Sequence, residues 1–277
     1  MTRDDRIRPF TRVVAAVVLP FLAAAWILLY LLPNDTDALF AWTIAPSLTA
    51  MLLGSAYVGG IWFFVQVLRA GRWHRVKYGF PAVLVFAALL AVATLVHWDR
   101  FHFGHISFLT WVTLYLTTPV LVAVAIVLNW GADPRADDER DYAIPLVPRF
   151  AIAAVGLVSL ICGVVIFIAP GLVAGAWAWE LTPLTTRVVG AVLTLPGMVN
   201  LWMLRDARWS AFRWIFQAQI VSLVFIVVAL VIARGDLAAS LAAPAFVVGM
   251  VVSLVVYVAL YAYCERESSR TVSAVRE

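Results

Sequence analysis

The stretches RVVAAVVLPFLAAAWILLYLLP, Arg12–Pro33, and RFAIAAVGLVSLICGVVIFIAP, Arg149–Pro170, decide the fold between them. Each opens on arginine, continues without another charged residue and closes on proline. A helix rises about 1.5 Å per residue and the hydrocarbon layer is about 30 Å thick, so about 20 such residues cross a bilayer. Arg6, Arg8 and Arg12 before the first stretch, with a cleavage-like Ala23, Ala24 and Ala25 inside it, resemble a secretion signal. Trp26 to Leu32 extend the apolar run beyond that length, so the segment reads as an uncleaved first span.

Eight apolar segments can be placed along the chain, at 13–32, 44–68, 80–98, 106–129, 150–172, 184–204, 213–233 and 240–264. With 64% of its 277 residues apolar and 13% charged, the chain does not fit a water-soluble domain. Laid end to end, the spans put every lysine and arginine except Arg100, Arg187 and Arg234 on one face. That asymmetry is the positive-inside pattern and predicts both termini in the cytoplasm. The basic balance therefore reflects topology and anionic lipid, and gives no reason to expect a nucleic-acid partner.

The halves repeat one another. Arg12 and Arg149, Pro33 and Pro170, and the segments Trp42–Pro46 and Trp179–Pro183 all lie 137 residues apart. After a one-residue slip, Gly54 matches Gly190, and Arg69, Arg72 and Trp73 match Arg205, Arg208 and Trp209. Residues 1–130 form the first four-span unit, 131–148 an acidic cytoplasmic linker, and 149–277 the second unit with a cytoplasmic tail. An even number of spans gives both units the same orientation, so the predicted fold is an all-α transmembrane bundle of two parallel repeats. The linker, with Asp133, Asp137, Asp138, Glu139, Asp141 and three prolines, suits a solvated loop.

No nucleotide-binding glycine loop, His-Glu-x-x-His, Gly-x-Ser-x-Gly or Cys-x-x-Cys motif occurs, which argues against an enzyme of those classes. Cys162 and Cys264 lie at different depths and read as small apolar fillers. Polar chemistry gathers instead at the outer face. His97, Asp99, His102 and His105 bring three of the four histidines beside a carboxylate, a ligand set suited to a transition metal. The competing reading is an interfacial loop whose Trp98, Phe101 and Phe103 sit at headgroup level.

Arg187 lies about one turn inside span six, where a charge faces the bundle interior or snorkels outward. Glu180 is its nearest acidic neighbour in sequence, with Asp35, Asp99 and Asp236 on the same face. Thr110, Thr113, Thr117 and Thr118 precede Pro119, where hydroxyls can serve carbonyls that proline leaves free, and Pro196 with Gly197 marks a bend near Asn200. Arg187, Glu180, Asn200, Thr117 and Thr118 are thus the candidate lining of a solute pathway. Ser55 with Gly59 and Ala56 with Gly60 give span two a close-packing groove, which predicts that spans two and six are central. Arg72, Trp73, Arg208 and Trp209 read as lipid anchors at the inner face.

Trp42–Pro46, the Arg-Trp-His-Arg segment Arg72–Arg75 and the His-Trp-Asp-Arg-Phe segment His97–Phe101 resemble those of multi-pass membrane proteins of high-GC, actinobacterial-type bacteria that carry no assigned activity. The resemblance implies the bacterial plasma membrane and no particular substrate. Three classes of function follow from the residues. The duplication and Arg187 favour a small-solute or ion permease with its site between the repeats. The histidine loop favours a metal-binding or redox protein. The absence of any sizeable extramembrane domain favours a structural or accessory subunit of a membrane complex, whose partners would be the lipid bilayer and either a second copy of the chain in a homo-oligomer or another protein of the complex.

Overall fold

A computed structural model describes residues 4–135 and 141–276. Asp137, Asp138, Glu139 and Arg140 of the linker, and Arg3, lie outside the described residues. Eight long helices carry the fold: α1 (Pro9–Leu31), α2 (Ser47–Arg69), α3 (Gly79–Val96), α4 (Ile106–Asn129), α5 (Leu146–Ile168), α6 (Pro183–Leu204), α7 (Trp209–Ile232) and α8 (Ala242–Arg276). Each is long and apolar enough to cross a bilayer, and the protein is an all-α polytopic membrane protein.

Prolines set several ends that the apolar runs left ambiguous. Span two begins at Ser47 and not at residue 44, because proline keeps the residue before it out of the α region and Pro46 directly precedes the helix. Trp42, Ala41 and Ile44 are nevertheless buried, in a bent non-helical segment ahead of the helix. α5 stops at Ile168, ahead of Pro170, which starts a separate short turn. Pro183 opens α6 behind Thr182, whose hydroxyl accepts from the Thr185 amide while Thr185 returns a bond, closing a capping box. α8 outlasts the bilayer: its 35 residues would reach about 52 Å at 1.5 Å each.

The main packed pairs are α1 with α2, α3 with α4, α5 with α6, α7 with α8, and across the halves α2 with α7 and α3 with α6. Exchanging spans one to four for five to eight turns this set into itself. Small ties repeat in the same way. On the basic face the Ile7 amide donates to Gly71 O at 3.3 Å and the Trp73 amide to Asp5 O at 2.7 Å; their equivalents are Ile144 to Ala207 at 2.8 Å and Trp209 to Tyr142 at 3.0 Å. On the opposite face the His102 amide donates to Ala41 O at 2.9 Å, and Ala238 to Ala178 O at 2.8 Å. Arg12 donates to Leu68 O, while Arg149 donates to Met203 O at 2.6 Å and Leu204 O at 3.0 Å. Each guanidinium thus sits on carbonyls that the end of a helix leaves without partners.

α2 and α6 have the largest buried shares of the eight spans, so they are the central pair, as the small residues predict. The anchor reading of the clusters after them is corrected. Trp73 and Trp209 are 0% and 1% exposed, inside the bundle, and the Arg208 side chain is buried among carboxylates. Arg72 alone of the four is exposed. A tryptophan near a span end looks interfacial in sequence, but the segments before α1 and α5 accept from both backbone amides, and the rings pack on Phe80 and on Phe216 and Tyr261.

Candidate functional site

Three polar places stand out, one on each face and one between them. On the basic face Lys77, the chain's single lysine, contacts Asp133 and lies 3.6 Å from Asp206. Arg208 reaches both acids, at 2.7 Å to Asp133 Oδ2 and 2.7 Å to Asp206 Oδ2. The Tyr78 hydroxyl donates to Asp206 at 2.8 Å, and the Arg135 amide donates to Asp133 at 2.8 Å. Burial alone would raise both carboxyls. Hydrogen bonds from Arg208, joined by Tyr78, hold Asp206 down at about 2, and those from Arg208 and Lys77 hold Asp133 well below the usual range.

Beside this quartet His74 is bound to Asp5 through its ring and, at 3.0 Å, through its amide. Asp5, His74 and Asp133 offer ligand-type atoms within 4.8 Å of one another. The donor set does not fit a metal. Both Asp133 oxygens already serve cationic side chains, and Lys77 and Arg208 would repel an incoming cation. The cluster is an ion network joining the two halves.

On the opposite face the three histidines are divided among different partners. Arg187 donates to His97 Nε2 at 2.6 Å. His102 points Nδ1 at the Phe40 carbonyl at 3.1 Å, so that nitrogen carries the proton and Nε2 accepts from Thr43 at 3.2 Å. His105 Nδ1 pairs with Ser107 at 2.6 Å, and Asp99 with Arg100 at 3.2 Å, both acid and arginine exposed. No shared ligand point joins them, so the structure does not gather the loop as a metal centre. Arg187 finds His97, not Glu180, which is exposed; Asp236 instead caps α2, accepting from Ser47 Oγ at 2.7 Å and the Leu48 amide at 2.9 Å.

Burial, then the charge of Arg187, lowers the His97 pKa, and the neutral ring is the acceptor the guanidinium needs. His97 is therefore expected to titrate below about 6.5, the ordinary histidine value. A depressed base stabilises the fold above its unfolded pKa and loses that contribution as the pH falls. Two-dimensional NMR of the ring, in wild type and Arg187→Gln, checks this: the midpoint should rise in the variant. An unchanged midpoint would detach Arg187 from the shift.

Between the faces lies a cavity of about 990 Å³ lined by residues of all eight spans. No Asp, Glu, Lys, Arg or His is among its lining residues. Its walls are mostly aliphatic and aromatic, with a few neutral polar groups. Tyr57 and Tyr115 share a hydrogen bond at 2.6 Å on the first-half side. On the second-half side Gln219 Nε2 approaches Asn200 Oδ1 at 3.5 Å, and Asn200 Nδ2 donates to the Tyr257 hydroxyl at 2.6 Å.

Of the expected pathway residues, Thr118 lines this cavity and Asn200 backs it, whereas Arg187 and Glu180 belong to the face opposite the basic one. Thr117 is exposed, its hydroxyl spent on Thr113 O at 2.6 Å rather than on the carbonyl freed by Pro119. Buried Thr118 Oγ1 and Gln219 Oε1 have no hydrogen-bond partner among the described residues. Tyr57, Tyr115, Gln219 and Tyr257 were not singled out in the sequence, since uncharged polar residues inside apolar spans look alike until the helices are assembled. Compared with protein-family models, curated proteins and solved structures, the chain matches none.

Proposed function

We propose that the protein is a permease for a small, uncharged, largely apolar solute, with its site in the cavity between the two four-span units. The observation that carries this reading is the 990 Å³ cavity to which every span contributes and no Asp, Glu, Lys, Arg or His does. Concave, mostly apolar sites with a few placed polar groups are the usual form of small-molecule pockets. An ion crossing this space would lose its hydration without finding a compensating charge or carbonyl ring, at a cost of several kcal/mol. The parallel arrangement of the units supports movement of one against the other around a central site. The positive-inside rule supports placing the Lys77–Arg208 face in the cytoplasm of a bacterial plasma membrane.

The test uses albumin-loaded proteoliposomes and the neutral fluorophores 1-naphthol and Nile red. Uptake should exceed that of protein-free vesicles and return to their rate in Gly249→Trp. Gly249 lines the cavity, and an added Cβ there meets nothing within 4 Å, so the indole occupies the space without displacing backbone. Val127→Trp, at a 78% exposed position outside the lining, should transport normally. Uptake equal to protein-free vesicles, or a potassium conductance blocked by Gly249→Trp, would overturn the reading.

A further inference from the structure

The two units are packed alike except along one edge. In the first, α1 lies against α4, and no comparable contact joins their counterparts α5 and α8. The cause stands at the basic end of that edge. Buried Asn129, the last residue of α4, accepts from the Arg8 amide at 2.9 Å and donates to the Thr11 hydroxyl at 2.7 Å, which fastens α1 to α4. At the repeat offsets, 137 before the slip and 136 after it, the counterparts of Arg8, Thr11 and Asn129 are Pro145, Pro148 and Glu265. Proline has neither an amide proton nor a hydroxyl, and Glu265 is held by Trp209 Nε1 at 2.8 Å and by the Arg213 guanidinium. The second fastening cannot form.

The gap it leaves runs into the cavity. Val155, Val158, Ile161 and Val165 of α5 line the cavity and are exposed as well. Ala245 and Gly249 of α8 line it too, and a Cβ on Gly249 would meet nothing within 4 Å. Exposure on a membrane span is exposure to lipid, so the cavity wall is continuous with the lipid-facing surface here.

What fills the space follows from its walls. Left empty, 990 Å³ would forfeit dispersion contacts over its whole lining. Each water there would need about two to four polar partners, which mostly aliphatic walls do not supply. A partner helix seated over the gap would need small residues for close approach, and α5 presents branched ones. A hydrocarbon chain meets every one of these conditions.

Resting on the reading of this cavity as the transport site, we propose that the gap between α5 and α8 is a lateral portal through which the cavity is loaded from the bilayer, with the acyl chain of a membrane lipid as its occupant between solutes. Solutes then reach the site by first dissolving in the membrane.

The test uses phosphatidylcholine carrying a diazirine at the end of one acyl chain, in nanodiscs, with the adducts mapped by mass spectrometry after illumination. Adducts should appear at Phe86 and Val192, which line the cavity and are buried. Val158→Trp, at the rim, should remove most of them, and Val158→Ala should keep them. Adducts at exposed Val127 on α4 should be the same in all three proteins, which also shows that the variants are folded in lipid. Interior adducts undiminished in Val158→Trp would overturn the portal. Interior residues left unmarked while 1-naphthol uptake persists would overturn it as well, and leave the permease reading standing. Interior adducts without any uptake would remove the permease reading and leave the portal. A dimer on native mass spectrometry with the rim residues protected from the label would give the gap to a second copy of the chain instead.

Discussion

Gly163→Leu is expected to abolish the folded bundle. α5 and α6 approach so closely that a Cβ on Gly163 would stand 2.7 Å from Gly190 O and 3.1 Å from Thr194 N. The reciprocal Cβ on Gly190 would meet Gly163 O at 2.7 Å and Phe167 N at 2.9 Å. Two turns further along α6, a Cβ on Gly197 would meet Gly156 O at 2.6 Å. These obstacles are backbone atoms, which cannot swing aside as a side chain does. Inside a membrane apolar side chains gain little by leaving lipid, so close packing of small residues is the main force between helices. Separating α5 from α6 removes that packing along their whole contact. The cost should reach about 3 kcal/mol or more, a large part of a domain's net stability. Unfolding in mixed detergent, with elution on size exclusion, measures it against Gly249→Leu, which adds the same side chain where the space is open. A Gly163→Leu protein that elutes and unfolds like the wild type would contradict the packing described.

Removing Arg208 should cost nearly as much. Among the described residues the network on the basic face holds two carboxylates and two cations, each side chain largely out of water. Arg208→Leu leaves Asp133 and Asp206 to share Lys77, so one buried negative charge has no counterpart. Breaking a buried pair in this way typically costs about 3–5 kcal/mol, more than the intact pair contributes over an apolar replacement. The double variant Arg208→Leu, Asp206→Asn restores the balance of one acid to one base and should recover part of the loss. If it does not, charge balance is not what the network provides. Acid should act on the same groups. Asp206 is held at about 2, against about 3.9 for an unfolded aspartate. Its contribution is complete above the unfolded value and disappears as the pH falls towards 2. Asp206→Asn should flatten the stability profile over that window, read from unfolding midpoints at stepped pH.

The spans were legible because an apolar run of about 20 residues has only one economical conformation in lipid, whatever lies around it. The duplication was legible because arginine, tryptophan and proline mark helix ends, and recur at an offset of 137 residues that a single slip makes 136. What escaped was pairing over distance. Asp133 reads as part of a solvated acidic linker, yet it is 4% exposed, since its cations sit 56 and 75 residues away in other loops. Trp73 and Trp209 have the composition of interfacial anchors, and distant partners put them inside: Asp5 and Phe80 for the first, Tyr142, Tyr261 and Glu265 for the second. The histidines are close in sequence, but 3₁₀ and turn geometry sends His97, His102 and His105 to different neighbours. The cavity is a property of how the helices lean together, and no single segment records it.

The inner network also has an order in time. Lys77 and Asp133 leave the ribosome with the first four spans, whereas Asp206 and Arg208 follow only after the sixth has been made. Until then the earlier pair lies on the basic face as one acid and one base, able to remain hydrated. The arrival of the later pair draws all four from water together and sews the two inserted halves along their inner seam. Membrane insertion of this chain would thus end with an electrostatic step, one that a half-made or wrongly oriented copy could not complete.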